Sequence, residues 1–387
     1  MTVWPDHPVL DRLRPLLPGI AARADEIEAA RRLPADLART LIGTKVFKLC
    51  VPKAVGGEEA HPLVLMQAIE ETAAADGSAG WNVAIGASSG STAAYLAPDV
   101  ARLIHGAPEA VTGGIFAPRG KAVREGDGYR VTGHWQWASG SPHCAWIKGG
   151  CVAYEDGKPR LIRDGVPEVL TVYFPRDKIE FVDNWYTSGL CGTASCDIKV
   201  TDVFVPAAHT ISLTRDKPRV EAPLYVFPMF GLLGMICAMT SLGIARGAIT
   251  DIVELAGAKK PTLSNRALAE RGATQGDIAR AEAILRGARA FMVEAILDAW
   301  AEAEAGAISV ARRAALRLAA THAANESARV VDICYTLGGG TAVYRNSPLQ
   351  RRFRDAHVIT QHMMVAPPSY ELAGRVLLGL PTDPSMI

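Results

Sequence analysis

Two long apolar stripes in the last third of the chain constrain its fold most. Ile278, Ala281, Leu285, Ala288, Met292, Ala295 and Ala299 recur at three- and four-residue steps, with Arg280, Glu282, Arg289 and Glu294 falling elsewhere. That spacing predicts one continuous amphipathic helix. Ala307 to Leu337 carries a comparable pattern and is expected to stop at Gly338, a residue suited to a C-cap. Helices of this length with short connections can bury their stripes only against one another, so an antiparallel bundle is expected. Ahead of them, Leu224 to Ala245 runs without a charge, long enough to raise a membrane span. Pro228, Gly231 and Gly234 interrupt its first half, and Thr240, Ser241 and Gly243 lead into Arg246. It therefore reads as the buried central helix of the bundle, and no membrane partner is expected.

Helical spacing also marks residues 34–43 and 62–75, with a loop at Val51-Pro52-Lys53 through Gly56-Gly57 between them. Asp76-Gly77-Ser78 supplies turn and cap chemistry for a further Ala-rich helix that contains Trp81. Near Thr112 the period changes to two. Residues 129, 131, 135 and 137 are expected on one strand face, which would make Trp135 and Trp137 neighbours. Further strands are expected at 145–153, 169–174, 179–183 and 196–205, forming a compact β-barrel or sandwich. The chain is thus read as α+β in three parts: a helical domain over 1–111, a β-barrel over 112–215 and a four-helix bundle over 216–387.

Composition narrows the function classes. Forty-one basic residues against 40 acidic ones leave a net charge of +1, which shows no nucleic-acid footprint. A hydrophobic content of 49% suggests burial between subunits as well as within one. Met1-Thr2-Val3-Trp4-Pro5-Asp6 lacks the basic start and apolar run of a signal peptide. The 7 cysteines are scattered without a Cys-x-x-Cys pair. Reduced thiols in a cytoplasmic protein are expected, with no metal site.

Three stretches then carry a resemblance. Asp127-Gly128-Tyr129-Arg130-Val131-Thr132-Gly133-His134-Trp135, followed by Trp137-Ala138-Ser139-Gly140, resembles the strand and turn that meet the flavin in acyl-CoA dehydrogenases. Ser188-Gly189-Leu190-Cys191-Gly192-Thr193-Ala194-Ser195, running into Val203-Phe204-Val205-Pro206, is similar to that family's next β-domain signature. Leu337-Gly338-Gly339-Gly340 and Arg351-Arg352-Phe353-Arg354-Asp355 resemble its C-terminal end. The family's catalytic Glu is missing: an ungapped placement puts His362 or Met363 there, and the first carboxylate downstream is Glu371. The dehydrogenases' Thr-Glu-Pro-x-x-Gly-Ser-Asp becomes Ile115 to Lys121, and their Trp-x-Thr becomes Trp137-Ala138-Ser139. Within the superfamily the chain looks closest to the oxygenase components of two-component flavin monooxygenases.

The resemblance implies a homotetramer using reduced flavin and oxygen, through a C4a-hydroperoxyflavin, to hydroxylate or N/S-oxidise an aromatic or polycyclic small molecule. Ser139 is the candidate partner of flavin N5, because a hydroxyl bonded there in a dry pocket would slow peroxide loss. His362 is the candidate acid–base, since an unperturbed imidazole titrates near the pH where phenols must lose a proton. Trp137, Gly140, Gly338, Gly339 and Gly340 are the remaining cofactor-binding candidates, the glycines by close backbone approach to a neighbouring subunit's flavin. The dinucleotide-contacting segment is weak around Pro261 to Arg271, so FMN and FAD both stay open. No Gly-x-Gly-x-x-Gly follows a strand, which points to a separate NAD(P)H-dependent flavin reductase. Two other readings stand beside this one. The first is a flavin-containing dehydrogenase with a displaced base such as Glu371; the second is a non-catalytic member of the family. Taken without the resemblance, His362 reads more readily as a packed or surface histidine than as a catalyst, and Ser139 as an ordinary turn residue.

Overall fold

A computed structural model describes residues 4–262 and 264–383. Its N-terminal part is helical: α1 (Pro8–Leu13), α2 (Leu17–Ala22), α3 (Ala24–Ala30), α4 (Ala35–Gly43), α5 (Pro62–Ala75), α6 (Gly77–Ser89) and α7 (Pro98–His105). Helices α1, α5 and α7 open on proline, whose missing N–H falls where a helix has no internal partner to offer. Helices α5 and α6 are buried nearly all round and share Asp76, which follows one and N-caps the other. Its carboxylate accepts from Ala79 N at 2.8 Å. Gly80 lets the two helices touch, because a Cβ there would stand 2.4 Å from that of Ala73.

The middle part is built from β1 (Thr112–Glu125), β2 (Gly128–Trp135), β3 (Trp146–Glu155), β4 (Lys158–Pro159), β5 (Leu161–Arg163), β6 (Val166–Pro167), β7 (Val169–Pro175), β8 (Glu180–Val182), β9 (Asp197–Pro206) and β10 (Thr210–Ile211). The main sheet runs β10-β7-β3-β1-β2-β9-β8, with β1 and β3 parallel and its other neighbours antiparallel. Trp135 is fully buried at the end of β2 and donates its Nε1–H to Gly150 O at 2.7 Å. Gly120, Gly133 and Gly149, on β1, β2 and β3, form its slot, since a Cβ at any of them would come within 2.4–2.6 Å of the indole. Trp137 departs from the expected alternation. The strand ends at Trp135, and Trp137 takes φ 67° and stands 64% exposed.

Helices return with α8 (Pro223–Val226), α9 (Met229–Ala258), α10 (Gly272–Glu304), α11 (Val310–Gly338), α12 (Pro348–Thr360) and α13 (Pro368–Leu377). Helix α9 is long and apolar enough to cross a membrane, but 89% of its most apolar window is buried inside the protein. It packs between α5, α6, α10, α11 and α12. Gly243 permits the approach to α5, as a Cβ there would meet Glu70 O at 2.3 Å. Helix α11 runs one residue past the expected stop: Gly338 is its last residue, and Gly339, at φ 53°, provides the cap.

The basic element of α12 is docked rather than solvated. Arg352, 8% exposed, donates to Ala73 O and Ala74 O at the end of α5 and to Asp251 Oδ2. Arg351 and Arg354 both pair with Glu28 of α3. Asp355 Oδ1 accepts from Leu190 N at 2.6 Å, which ties α12 to the loop before β9.

Candidate functional site

Ser139 sits in the turn after β2. Ala138 N donates to Cys196 O and Gly140 N to Thr193 O, both at 2.9 Å, so the turn is sewn to the loop before β9. Gly140 takes φ 69°, a left-handed conformation that favours glycine. A Cβ there would meet Asn82 Oδ1 at 3.0 Å and His143 Nε2 at 3.2 Å. Ser139 is 6% exposed and its Oγ accepts from Trp81 Nε1 at 3.0 Å. It also contacts Ser195 Oγ at 2.6 Å, and Ser195 Oγ in turn contacts Thr193 Oγ1 at 2.7 Å.

The same indole meets the second candidate. The Trp81 ring lies 5.6 Å from that of His362 at 63°, an edge-on contact. His362 lies in the turn after α12, beyond its last residue Thr360, rather than on the helix itself. Its Nδ1 accepts from Met364 N at 3.2 Å and faces Cys237 Sγ at 3.5 Å. Burial pushes the Cys237 thiol up to about 12, so it stays protonated, and its hydrogen goes to Leu233 O at 3.3 Å, leaving the Met364 N–H as the donor to Nδ1. With Nδ1 occupied, the ring hydrogen is assigned to Nε2. Met363, the other residue at the family's Glu position, is 64% exposed. Glu371 is exposed in the first turn of α13 and takes part in none of these contacts.

Burial, aided by the Arg317 charge, pushes His362 down to about 4. The expectation of an ordinary imidazole titrating near neutrality is therefore corrected: the ring is neutral over the physiological range. Arg317 is 3% exposed and donates to Phe230 O, Met364 Sδ and Ser369 Oγ. Among the described residues no carboxylate lies within ion-pair distance of it. His143 is partly buried 5.6 Å from the Phe47 ring and is also pushed down to about 4, by burial and then by Arg176.

Of the residues expected at the site, Ser139 and His362 converge on Trp81, with Trp137 and Gly140 flanking Ser139 in its own turn. Gly338, Gly339 and Gly340 lie apart at the end of α11, where Lys259 Nζ donates to Gly338 O at 2.6 Å. In the sequence Trp81 stands at a helix start with nothing beside it to mark a role. Thr193 and Ser195 stand inside a recognisable signature, whereas Asn82, Cys237 and Arg317 stand in none. The available signal was a polar or aromatic residue in an otherwise small and apolar helix. A groove of about 510 Å³ lies elsewhere, on the sheet face among Arg119, Lys121, His134 and Lys199, and contains neither Ser139 nor His362.

The turn fits a planar cofactor: the Trp137 indole stands uncovered beside a serine oxygen that still has acceptor capacity, and Gly140 adds no side chain. Comparison with known proteins bears on which cofactor. Residues 18–97 match the acyl-CoA dehydrogenase N-terminal domain and residues 235–367 the acyl-CoA dehydrogenase C-terminal domain. The indole-3-acetate monooxygenase of Pseudomonas putida is 34% identical over 368 residues, covering 94% of this chain and 92% of that protein. The chain belongs to the acyl-CoA dehydrogenase family. A flavin-dependent monooxygenase oxygenase subunit of Rhodococcus jostii is 28% identical over 98% of this chain and 100% of its own. The crystal structure of a 3-HSA hydroxylase from Rhodococcus sp. RHA1 superposes with a TM-score of 0.90 at 28% identity, covering 99% of this chain and 100% of that one. Within the family this chain is a flavin-dependent monooxygenase of the oxygenase-component type, and flavin is its cofactor.

Proposed function

We propose that this oxygenase hydroxylates, or oxidises at nitrogen or sulfur, an aromatic or polycyclic small molecule held between Trp81, His362 and a reduced flavin lying along Trp137 to Gly140. The observation that carries the reading is the shared indole: Trp81 binds Ser139 through Nε1 and meets His362 with its ring. Two elements distant in sequence thereby meet on one side chain. The flavin, when bound, supplies the oxygen activation. Ser139 Oγ offers its remaining lone pair toward flavin N5, and the buried turn around it keeps water away. His362 presents a neutral Nε2–H, which orients a substrate oxygen or nitrogen rather than removing its proton. Trp81 gives the substrate an aromatic wall, and the indole-3-acetate named for one relative is an aromatic molecule of the class this reading requires.

The oxygenase-subunit relatives support a separate flavin reductase. NAD(P)H as that reductase's electron source, a cytoplasmic location and a homotetramer belong to the same proposal. Exposed Val343, Tyr344, Leu377 and Leu378 on the helical part support burial against further copies. In such an assembly Gly338 to Gly340 would approach a neighbour's flavin; a Cβ at Gly340 would meet nothing within 4 Å. The test mixes the protein with reduced FMN or FAD, oxygen and an aromatic panel led by indole-3-acetate, and identifies products by mass spectrometry. Flavin-dependent gain of one oxygen atom supports the proposal. Bleaching of bound flavin by an acyl-CoA without oxygen would replace it with a dehydrogenase.

A further inference from the structure

Four buried groups behind Ser139 form a chain of hydrogen bonds whose direction is fixed at both ends. Leu190 O is a carbonyl and can only accept, and Thr193 Oγ1 donates to it at 2.8 Å. Thr193 has then used its single hydrogen, so the 2.7 Å contact with Ser195 Oγ is made by the Ser195 hydroxyl. Ser195 has likewise used its own, so the 2.6 Å contact with Ser139 Oγ is made by the Ser139 hydroxyl. At the other end the Trp81 indole can only donate, and it gives Nε1–H to Ser139 Oγ at 3.0 Å. The reverse order would leave Thr193 Oγ1 and Leu190 O 2.8 Å apart with no hydrogen between them. Thr193 is fully buried and Ser195 3% exposed, so bulk water cannot repair that contact.

Ser139 consequently has no hydrogen left to give and one lone pair left to receive. Flavin N5 differs between redox states in this respect: in the reduced form it carries a hydrogen and donates, in the oxidised form it has none and can only accept. We infer that Ser195 and Thr193 polarise Ser139 as a one-way acceptor, so that the site holds reduced flavin and releases oxidised flavin. The inference rests on the proposed facing of Ser139 and N5. Oxidised flavin could take a hydrogen from Ser139 only if Ser139 gave up its bond to Ser195 or the whole chain turned round, and either forfeits a buried hydrogen bond. Ser195 and Thr193 are positioning residues, since both act through Ser139. The arrangement suits an enzyme that receives its flavin reduced from elsewhere and must let it go once oxidised.

The test is the ratio of dissociation constants for oxidised and reduced flavin, with the reduced form titrated anaerobically and the potential of the bound flavin measured alongside. Wild-type protein is expected to bind the reduced form more tightly. Ser195→Ala frees the Ser139 hydrogen, and Thr193→Val lets Ser195 donate back to Ser139. Either change should lower the ratio about tenfold, a fall of ~30 mV in the potential of the bound two-electron couple. Ser195→Thr keeps the hydroxyl and should keep the ratio. The inference is overturned if the wild type shows no preference for reduced flavin, or if both variants leave the ratio unchanged. Equal weakening of both redox forms is such a result, because a merely structural role would produce it. Wild-type protein that binds neither flavin would remove the functional reading as well, whereas binding without preference would remove the relay alone.

Discussion

His362 shows how far its surroundings move a side chain from its textual reading. The sequence supplies an imidazole at the place of a missing carboxylate. The structure adds burial, the Arg317 charge and the Met364 N–H donated to Nδ1, which together leave a neutral ring with its hydrogen on Nε2. The burial and the charge cannot be read from neighbours in sequence, because Cys237 and Arg317 come from α9 and α11. A group titrating near 4 is uncharged throughout the working range. Product formation by the wild type should therefore show no ionisation of His362 between about pH 6 and 9, measured as coupled turnover across that interval. His362→Ala should lower product formation by roughly a hundredfold while reduced flavin still consumes oxygen. Unchanged hydroxylation would take His362 out of the reaction. Ser139→Ala should act differently, letting oxygen be consumed but raising the share released as hydrogen peroxide. A peroxide yield equal to that of the wild type would deny Ser139 its place at N5.

At the scale of elements, periodicity located the long helices and most strands but failed where glycine serves packing. Strand β1 lies at the centre of the sheet, yet Thr112-Gly113-Gly114-Ile115-Phe116-Ala117-Pro118-Arg119-Gly120 offers no alternation, and its register shifts around Pro118. Gly120 in that stretch is there to admit the Trp135 ring, a demand made by another strand. Gly243 works similarly between α9 and α5. Gly243→Ala should destabilise the protein by about 2 kcal/mol through overpacking, seen as a lower denaturation midpoint; an unchanged midpoint would mean the helices separate freely. Asp355 gives the docking of α12 a pH dependence. Burial, with the nearby Asp76 charge second, raises it to about 7, against a usual value of 3.8. The folded state thus keeps a proton that the unfolded chain releases, so stability falls as pH rises from about 4 to 7. The full effect is on the order of 4 kcal/mol. Asp355→Asn should remove that slope and gain on the wild type at pH 8 relative to pH 5 in denaturant titrations. Parallel curves at the two pH values would contradict the assignment.

At the scale of the molecule, the three-part order of helices, sheet and bundle is legible because the period changes from helical to two and back again. The candidate site was legible only in pieces. Ser139 and His362 stood in recognisable signatures, but their meeting on Trp81 depends on the packing of α6 against the β9 loop and the α12–α13 turn. The apolar surface at Tyr344, Leu377 and Leu378 is what the proposed homotetramer would bury, and light scattering should then return four times the mass of the chain. A monomer in solution would leave those side chains unexplained. The account's central claim is that this protein transfers an oxygen atom from dioxygen to an aromatic molecule with flavin supplied reduced. Isotopically labelled dioxygen tests it most directly, with chemically reduced flavin and indole-3-acetate heading the substrate panel. The account predicts one labelled atom in the product of the wild type and a reduced labelled yield, with more peroxide, in Ser139→Ala. Unlabelled products, or peroxide as the only fate of oxygen with every aromatic tried, would contradict it.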